Sequence, residues 1–273
     1  MSHIFSYKGF HWEYEVFGSG NETMFAFHGF GNTSSDFRIL EPSLGKNYKI
    51  ISFNLPYHGN SRVDNSIQKK TVTKDSLKEM FQFFLDQHQI VKFSLMGYSL
   101  GGKLALQLIE LFPEKVTTAF LFAPDGIRNN WSSVFVTNYG TGKKLFRGII
   151  QDPSRFFRIV RMFQRLSLIH EKLSDFIQNS LDTREKRQPV WNVWMCFREI
   201  KPNSSKIRAI INQHKIQVHL FFGKYDKVIP PSIGEQFVKK LTDKNCLHIV
   251  DMGHNLIKEK MNDYLLKVEE IVH

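Results

Sequence analysis

The chain has 273 residues, of which 42% are hydrophobic and 25 are phenylalanine, so it can bury a large core and is not expected to be disordered. Its net charge of +11 is concentrated in residues 126–206, which carry 15 Lys or Arg against 6 Asp or Glu. No secretory signal or membrane-spanning stretch is visible, and Cys196 and Cys246 form neither a disulfide framework nor a zinc site. We therefore expect a cytoplasmic protein with no metal, no cofactor and no nucleic-acid partner.

Apolar runs typical of buried strands alternate with helical patterns through most of the chain. Strands are predicted at residues 10–17, 24–27, 48–56, 91–97, 116–126, 216–223 and 246–253. Helices are predicted over residues 73–89, 101–112 and 231–241, and from Leu256 onward. Strands that are apolar on both faces and alternate with helices indicate an α/β fold, with a mostly parallel sheet covered on both sides.

The alternation stops between residues 126 and 206. A loop of this length without secondary structure is improbable in a compact domain, and the segment contains helical patterns and three of the four tryptophans. We expect residues 1–125 and 207–273 to form one core and residues 126–206 to form an inserted helical cap.

One short stretch joins a predicted strand to a predicted helix through glycines and a single hydroxyl. Gly97-Tyr98-Ser99-Leu100-Gly101 matches G-x-S-x-G in the strand-to-helix context that this motif requires. The small residues allow a sharp turn that exposes Ser99 above the sheet as a nucleophile. A serine that only caps the helix is the simpler alternative, because Ser is a favoured N-cap residue.

A serine nucleophile needs a base to take its proton and an acid to orient that base. Asp226 follows one apolar strand and His254 follows the next, so both are expected at the same carboxyl edge of the sheet as Ser99. Asp125, which follows an earlier strand, is the rival for the acid, and chain order favours Asp226.

Two backbone amides are needed to stabilise an oxyanion. The amide of Leu100, directly after the nucleophile, is the first candidate, and the amide of Phe30, in the turn after a strand, is the second.

Five segments together resemble the α/β-hydrolase superfamily over nearly the whole chain. They are HGFGN (28–32), LPYHGNS (55–61), GYSLGGKLAL (97–106), GKYDKVIP (223–230) and MGHNL (252–256). The resemblance implies an eight-stranded sheet, a cap inserted after the sixth strand, and a triad of Ser99, Asp226 and His254. It also implies a structural aspartate before LPYHG, where this chain has Asn54. The serine nucleophile argues against the dehalogenase and epoxide-hydrolase branches.

The stretch GYSLGGKLAL is also similar to the menaquinone-pathway synthase of 2-succinyl-6-hydroxy-2,4-cyclohexadiene-1-carboxylate, a lyase with the same fold. In that family the fourth residue after the serine is a substrate-binding arginine. Lys103 occupies this position here, and a lysine lacks the bidentate fork of arginine.

A cationic amphipathic helix is predicted over residues 151–169, with Asp152 as N-cap and Pro153 as its first residue. Arginines and large apolar side chains lie on opposite sides of its helical wheel. Three interpretations stay open: a solvated basic face, a rim that attracts a carboxylate or phosphate, and contact with an anionic membrane surface or an acidic carrier protein. The candidates for substrate contact are Tyr98, Lys103, Arg155 and Arg158.

These patterns predict an enzyme that needs no cofactor and acts on a small molecule, acyl or anionic in character. The first hypothesis is a carboxylic ester hydrolase working through an acyl-enzyme. The second keeps the fold and performs lyase or carbon–carbon bond hydrolysis on an anionic substrate. The third is a non-catalytic receptor or binding protein on the same scaffold. The oligomeric state is not indicated by the sequence.

Overall fold

The structure is a computed structural model that describes residues 2–66, 71–128, 137–166 and 182–272. The chain forms two compact units. The first comprises residues 1–68, 73–128 and 200–273, and the second comprises residues 69–72 and 129–199. Within the described ranges, no helix is both long enough and apolar enough to span a bilayer.

The strands form one mostly parallel sheet in the first unit, as predicted. In chain order they are β1 (Ser2–Tyr7), β2 (Phe10–Phe17), β3 (Glu22–Phe27), β4 (Tyr48–Phe53), β5 (Arg62–Val63), β6 (Phe93–Tyr98), β7 (Val116–Phe122), β8 (Gln217–Gly223) and β9 (Leu247–Val250). Their order across the sheet is β1-β2-β4-β3-β6-β7-β8-β9, and β5 pairs with β2. The pairs that β2 makes with β1, β4 and β5 are antiparallel, and the pairs from β4 to β9 are parallel.

The helices occur in both units. They are a 3-10 helix (Ser34–Leu40), α1 (Glu41–Leu44), α2 (Lys74–Gln87), α3 (Leu100–Leu111), α4 (Gly140–Gln151), α5 (Ser154–Arg165), α6 (Arg184–Cys196), α7 (Ser204–His214), α8 (Pro231–Val238) and α9 (Met261–Val272). Of these, α4, α5 and α6 belong to the second unit.

Alternation along β4 shows that helices cover both faces of the sheet. The Phe53 ring packs on Phe81 and Phe84 of α2, with centroids 5.6 and 5.3 Å apart. The preceding residue, Ser52, donates its hydroxyl proton to the Ser34 carbonyl of the 3-10 helix at 2.9 Å. Because successive strand residues point to opposite faces, these two helices lie on opposite sides of the sheet. Burying each such aromatic ring contributes about 2–3 kcal/mol.

The predicted strands and helices are present, and three details differ from the sequence analysis. Residues 2–7 were assigned no strand, yet they form β1, whose single buried side chain is Phe5. The sheet has nine strands rather than eight because the two-residue β5 adds to β2. The last helix begins at Met261 instead of Leu256, since residues 251–260 form the loop that carries His254.

The second unit has its own small aromatic cluster. The Phe146 ring lies 5.2 Å from Trp191 and 5.3 Å from Trp194, and the buried Arg187 donates from Nε to the Ile150 carbonyl at 2.8 Å. A cavity of about 480 Å³ is lined by Arg147, Ile150, Gln151, Gln188 and Trp191. Trp131 and Phe135, which belong to the predicted cap at 126–206, lie outside the described residues.

The predicted start of the cationic helix is wrong by one residue. Helix α5 begins at Ser154, and its N-cap is Pro153 rather than Asp152. The Asp152 carboxylate still accepts a hydrogen bond from the Ser154 amide at 3.0 Å, so it satisfies one of the free amides of the first turn.

Candidate active site

Ser99 occupies the sharp turn between β6 and α3. Its backbone has φ 50° and ψ −114°, a strained conformation that a residue with a side chain rarely adopts. Three backbone bonds hold the turn: the Ser99 amide donates to the Phe122 carbonyl at 3.0 Å, and the Ser99 carbonyl accepts from the Gly102 and Asp125 amides, both at 2.9 Å. The side chain makes no capping bond to α3, which removes the helix-cap interpretation.

The glycines around Ser99 allow α3 to approach the sheet closely. A Cβ on Gly101 would lie 1.8 Å from the Phe27 carbonyl oxygen, and a Cβ on Gly97 would lie 2.8 Å from the Gly101 carbonyl oxygen. Neither position accepts alanine without moving backbone. The G-x-S-x-G pattern therefore reflects packing between β3, β6 and the first turn of α3, as well as the turn at Ser99.

His254 and Asp226 are joined by a direct hydrogen bond. The His254 Nδ1 lies 2.7 Å from Asp226 Oδ2, and the Asp226 side chain is fully buried. The other carboxylate oxygen, Oδ1, accepts from the amides of Val228 at 2.7 Å and Ile229 at 2.9 Å. These three hydrogen bonds fix the carboxylate of Asp226, which can hold a proton on His254 Nδ1 and so leave Nε2 as the free acceptor.

Asp125 makes a different contact. Its carboxylate accepts a hydrogen bond from the Gly126 amide at 2.8 Å, and its own amide supports the Ser99 turn. Of the two aspartates that the sequence offers as the acid, Asp226 is the one placed against the His254 ring.

Tyr98 connects the serine turn to the histidine loop. Its hydroxyl donates to the His254 carbonyl at 3.2 Å, and the two rings lie 5.5 Å apart between centroids. The side chain is buried, so it contacts the protein rather than solvent; a Cβ on Gly29 would lie 2.8 Å from its ring. Burial and, secondarily, the Asp226 carboxylate raise the pKa of Tyr98 well above its usual value, so it stays a hydrogen-bond donor.

The Ser99 hydroxyl has no hydrogen-bond partner among the described residues, so the bond from Ser99 to His254 is not formed in this structure. Nucleophile–base bonds are often long without substrate and shorten in the substrate complex. Tyr98 precedes Ser99 in the chain and donates its hydroxyl proton to the His254 carbonyl.

The amides of Phe30 and Leu100 are available as donors. Neither donates a hydrogen bond within the part of the chain that the structure describes. Leu100 is the first residue of α3, so its amide also carries the positive end of the helix dipole.

Two histidines that the sequence analysis gave no role hold the Phe30 loop in place. His28 donates from Nδ1 to the Gly29 carbonyl at 2.7 Å and accepts at Nε2 from the Leu55 amide at 3.0 Å. His58 accepts at Nε2 from the Gly31 amide at 3.1 Å. Burial, and then the neighbouring His58, lower the pKa of His28 to about 3, so it is neutral at physiological pH. The sequence feature that could have indicated this role is a histidine directly before a glycine in each of the two loops, His28-Gly29 and His58-Gly59.

Asn54, the residue that departs from the family pattern, closes a buried network behind this loop. Its Oδ1 accepts from the Ser34 amide at 2.6 Å, and its Nδ2 donates to Glu13 Oε2 at 2.7 Å. Burial alone would raise the pKa of Glu13, but hydrogen bonds from Asn60 and Asn54 outweigh burial and hold this pKa below its usual value. An amide at position 54 therefore fits because a buried carboxylate, Glu13, lies opposite.

Asn54→Asp is expected to destabilise the fold by roughly 2 kcal/mol at neutral pH, because it replaces a donor to Glu13 with a second carboxylate. Two adjacent carboxylates share a proton, so the pKa of one is raised in the folded state. The penalty should then grow as pH rises through the usual carboxyl range and shrink on acidification. Urea unfolding across that range measures both effects.

The matched control for this change is Asn203→Asp, because Asn203 caps the N-terminus of α7 and an aspartate caps equally well. Its stability should stay close to that of the wild type. Equal losses in the two variants, or a penalty at position 54 that increases on acidification, would contradict the proposed charge repulsion.

The remaining predicted substrate contacts lie in two places. Lys103 is in the first turn of α3. Burial lowers its pKa, and the positive charge of Lys201 lowers it further, while the Asp125 carboxylate acts in the opposite direction. Arg155 and Arg158 are exposed on α5 of the second unit. Among the described residues, no group of three or more His, Cys, Asp or Glu side chains is arranged to hold a metal ion.

The relatives found by comparison cover most of this chain at low identity. The chain is 24% identical over 266 residues to the dihydrolipoyllysine-residue acetyltransferase component of the acetoin cleaving system of Pseudomonas putida, covering 93% of this chain and 65% of that relative. It is 23% identical over 241 residues to monoacylglycerol lipase ABHD6 of Homo sapiens, covering 85% of this chain and 70% of the lipase.

Among solved structures, a thermophilic esterase from Thermogutta terrifontis aligns with a TM-score of 0.71 at 13% identity, over 100% of this chain and 98% of the esterase. At this identity the alignment shows a shared fold. The family description "alpha/beta hydrolase fold" matches residues 22–260, which include the Ser99 turn, Asp226 and His254. The chain therefore belongs to the alpha/beta hydrolase fold family.

Proposed function

We propose that this protein is a serine hydrolase that cleaves carboxylic esters through an acyl-enzyme. The observation that carries the proposal is the His254–Asp226 hydrogen bond of 2.7 Å, together with the strained Ser99 turn that Tyr98 links to the His254 carbonyl. A buried aspartate that fixes one ring nitrogen of a histidine, beside an unbonded serine hydroxyl, is the arrangement that general-base activation requires.

Each step uses a group that the first unit provides. His254 Nε2 removes the Ser99 proton as Oγ attacks the ester carbonyl, and Asp226 stabilises the imidazolium. The Phe30 and Leu100 amides donate to the developing oxyanion, which is worth about 3–4 kcal/mol for each donor in comparable sites. His254 then protonates the leaving alcohol. In the second half, His254 activates water, which releases the acid and restores Ser99.

The relatives support the reaction class. The similar proteins include one named as a monoacylglycerol lipase and one whose structure is described as a thermophilic esterase, and both are hydrolases of the same fold. Ester cleavage is therefore the first candidate for this chain.

Lyase chemistry or carbon–carbon bond hydrolysis on an anionic substrate is the second candidate, and Lys103 is the observation that favours it. This lysine lies one turn beyond Ser99 on α3, where a cation could pair with a substrate carboxylate. The non-catalytic alternative is disfavoured, because a binding protein has no need for a strained serine with an unbonded hydroxyl.

A fluorophosphonate probe tests the proposal directly. We expect one covalent adduct per chain, mapped by mass spectrometry to the peptide that contains Ser99, and loss of p-nitrophenyl acetate turnover in step with labelling. A phosphonylated serine elsewhere, or no labelling together with no turnover, would contradict a Ser99 nucleophile. Labelling at Ser99 with turnover of anionic substrates but not of esters would select the second candidate.

A further inference from the structure

Helix α5 exposes arginines and large apolar side chains together. The side chains of Ile159 and Met162 are each 49% exposed, that of Phe163 is 37% exposed, and that of Leu166, which caps the helix, is 60% exposed. Arg155 and Arg158 are exposed beside them. These six residues are called the α5 surface below.

In the part of the chain that the structure describes, α5 buries one narrow side. Val160 is the buried residue of the helix, and Phe156, Phe157 and Gln164 are half-buried. An ordinary surface helix buries its apolar stripe and exposes its polar one. Here the apolar residues at spacings of three and four, from Ile159 to Leu166, face outward instead. The helical wheel drawn from the sequence separates the two stripes correctly but cannot show that the apolar one stays largely uncovered.

The charge of the helix has one sign. Between Ser154 and Leu166 the chain has four arginines and no acidic residue, and this stretch lies in the segment that holds most of the net positive charge. Near an anionic lipid surface, each such cation contributes about 1 kcal/mol of attraction. The α5 surface therefore combines the two features that place a helix in a lipid interface: apolar side chains that can enter the acyl region and cations that meet the headgroups.

We propose that the α5 surface binds reversibly to anionic phospholipid, with the helix axis parallel to the membrane plane. A lipid surface fits better than a protein partner because the six residues of the α5 surface are all arginine or apolar, which suits anionic headgroups and acyl chains. The Met162 side chain lies between arginines on the wheel, and long arginine side chains can reach headgroups while their stems stay in the apolar layer. The proposal does not rest on the proposed ester hydrolysis.

Vesicle sedimentation tests the surface. The wild-type chain should bind vesicles of phosphatidylcholine with a third phosphatidylglycerol and bind pure phosphatidylcholine vesicles far less, and salt should weaken the binding. Arg155→Gln/Arg158→Gln should weaken binding to the anionic vesicles roughly 30-fold, from about 1 kcal/mol per arginine. Ile159→Ser/Phe163→Ser, which keeps every charge, should also weaken it at least roughly 10-fold.

The matched control removes two exposed lysines of the first unit, as Lys239→Gln/Lys240→Gln, and so lowers the net charge equally. This variant should bind nearly as tightly as the wild type. An equal loss in the control would mean that net charge alone acts, and equal binding to both vesicle types would exclude an anionic surface; either result overturns the proposal. So would a dimer in light scattering that the α5 variants lose, without vesicle binding.

The fluorophosphonate labelling rate in solution separates this inference from the proposed function. Ile159→Ser/Phe163→Ser and the lysine control should be labelled at the wild-type rate, because none of these four residues is a candidate for catalysis or substrate contact. All variants should unfold at the wild-type temperature, because the changed side chains are exposed. Loss of vesicle binding with unchanged labelling supports the α5 surface whatever bond the enzyme cleaves. Weaker vesicle binding that occurs only in variants with a lowered unfolding temperature would overturn the proposal, because damaged structure would then explain the loss.

Discussion

Ser99→Ala is expected to lower kcat/KM for p-nitrophenyl acetate by at least about 10⁴-fold, because the step that forms the acyl-enzyme loses its nucleophile. The fold should be unaffected. Alanine keeps the same Cβ at φ 50°, and the Ser99 hydroxyl makes no hydrogen bond whose loss would matter. Initial rates and the urea midpoint of the two proteins measure both parts of this expectation.

The matched control is Ser94→Ala, on the same strand β6. Its hydroxyl is bonded to Thr117 at 2.9 Å, away from the turn, so its loss should cost about 1 kcal/mol of stability and leave kcat/KM within a few-fold. Turnover that survives in Ser99→Ala would show that hydrolysis arises elsewhere, and an equal loss of activity in both variants would show an indirect effect through stability.

Asp226→Asn is expected to lower kcat by about 10³–10⁴-fold, the second largest effect. An asparagine can keep its oxygen on the Val228 and Ile229 amides, which then turns its NH₂ toward His254 Nδ1. That donor holds the proton of the neutral imidazole on Nε2, where it blocks general-base catalysis. KM should change much less than kcat, because binding of the ester does not depend on this proton.

Asp125→Asn is the comparison that decides between the two aspartates. It retains the oxygen that accepts from the Gly126 amide, so we expect kcat within about threefold of the wild type. A loss at Asp125 as large as that at Asp226 would mean that the His254–Asp226 bond is not the orienting contact during turnover. Steady-state kinetics across neutral pH measure both variants.

The contact between Asp226 and His254 could be predicted because its signals in the sequence are local. Ser99, Asp226 and His254 each follow a buried apolar run, and parallel strands necessarily bring such positions to one edge. The role of Tyr98 could not be predicted, because its hydroxyl meets His254, which is 156 positions away in the chain. The network of Asn54 and Glu13 was missed for the same reason: the two side chains are 41 positions apart and pair only in the folded sheet.

The elements that were missed carry weak local patterns. Strand β1 has one buried residue, Phe5, so it shows no apolar run, and it forms because β2 offers an edge to pair with. Strand β5 has two residues, too few for any periodicity. The exposure of Ile159 and Met162 depends on which side of α5 packs, and a helical wheel contains no information about tertiary contacts.

Tyr98 couples the positions of the proposed nucleophile and the proposed base through a single side chain. Its backbone is fixed to Ser99 by one peptide bond, and its hydroxyl is fixed to the His254 carbonyl. If the loop between β9 and α9 moves relative to Ser99, the hydrogen bond from the Tyr98 hydroxyl to the His254 carbonyl must break, or Tyr98 must move with the loop. The spacing between the proposed nucleophile and the proposed base thus depends on one peptide bond and one hydrogen bond, both within the first unit.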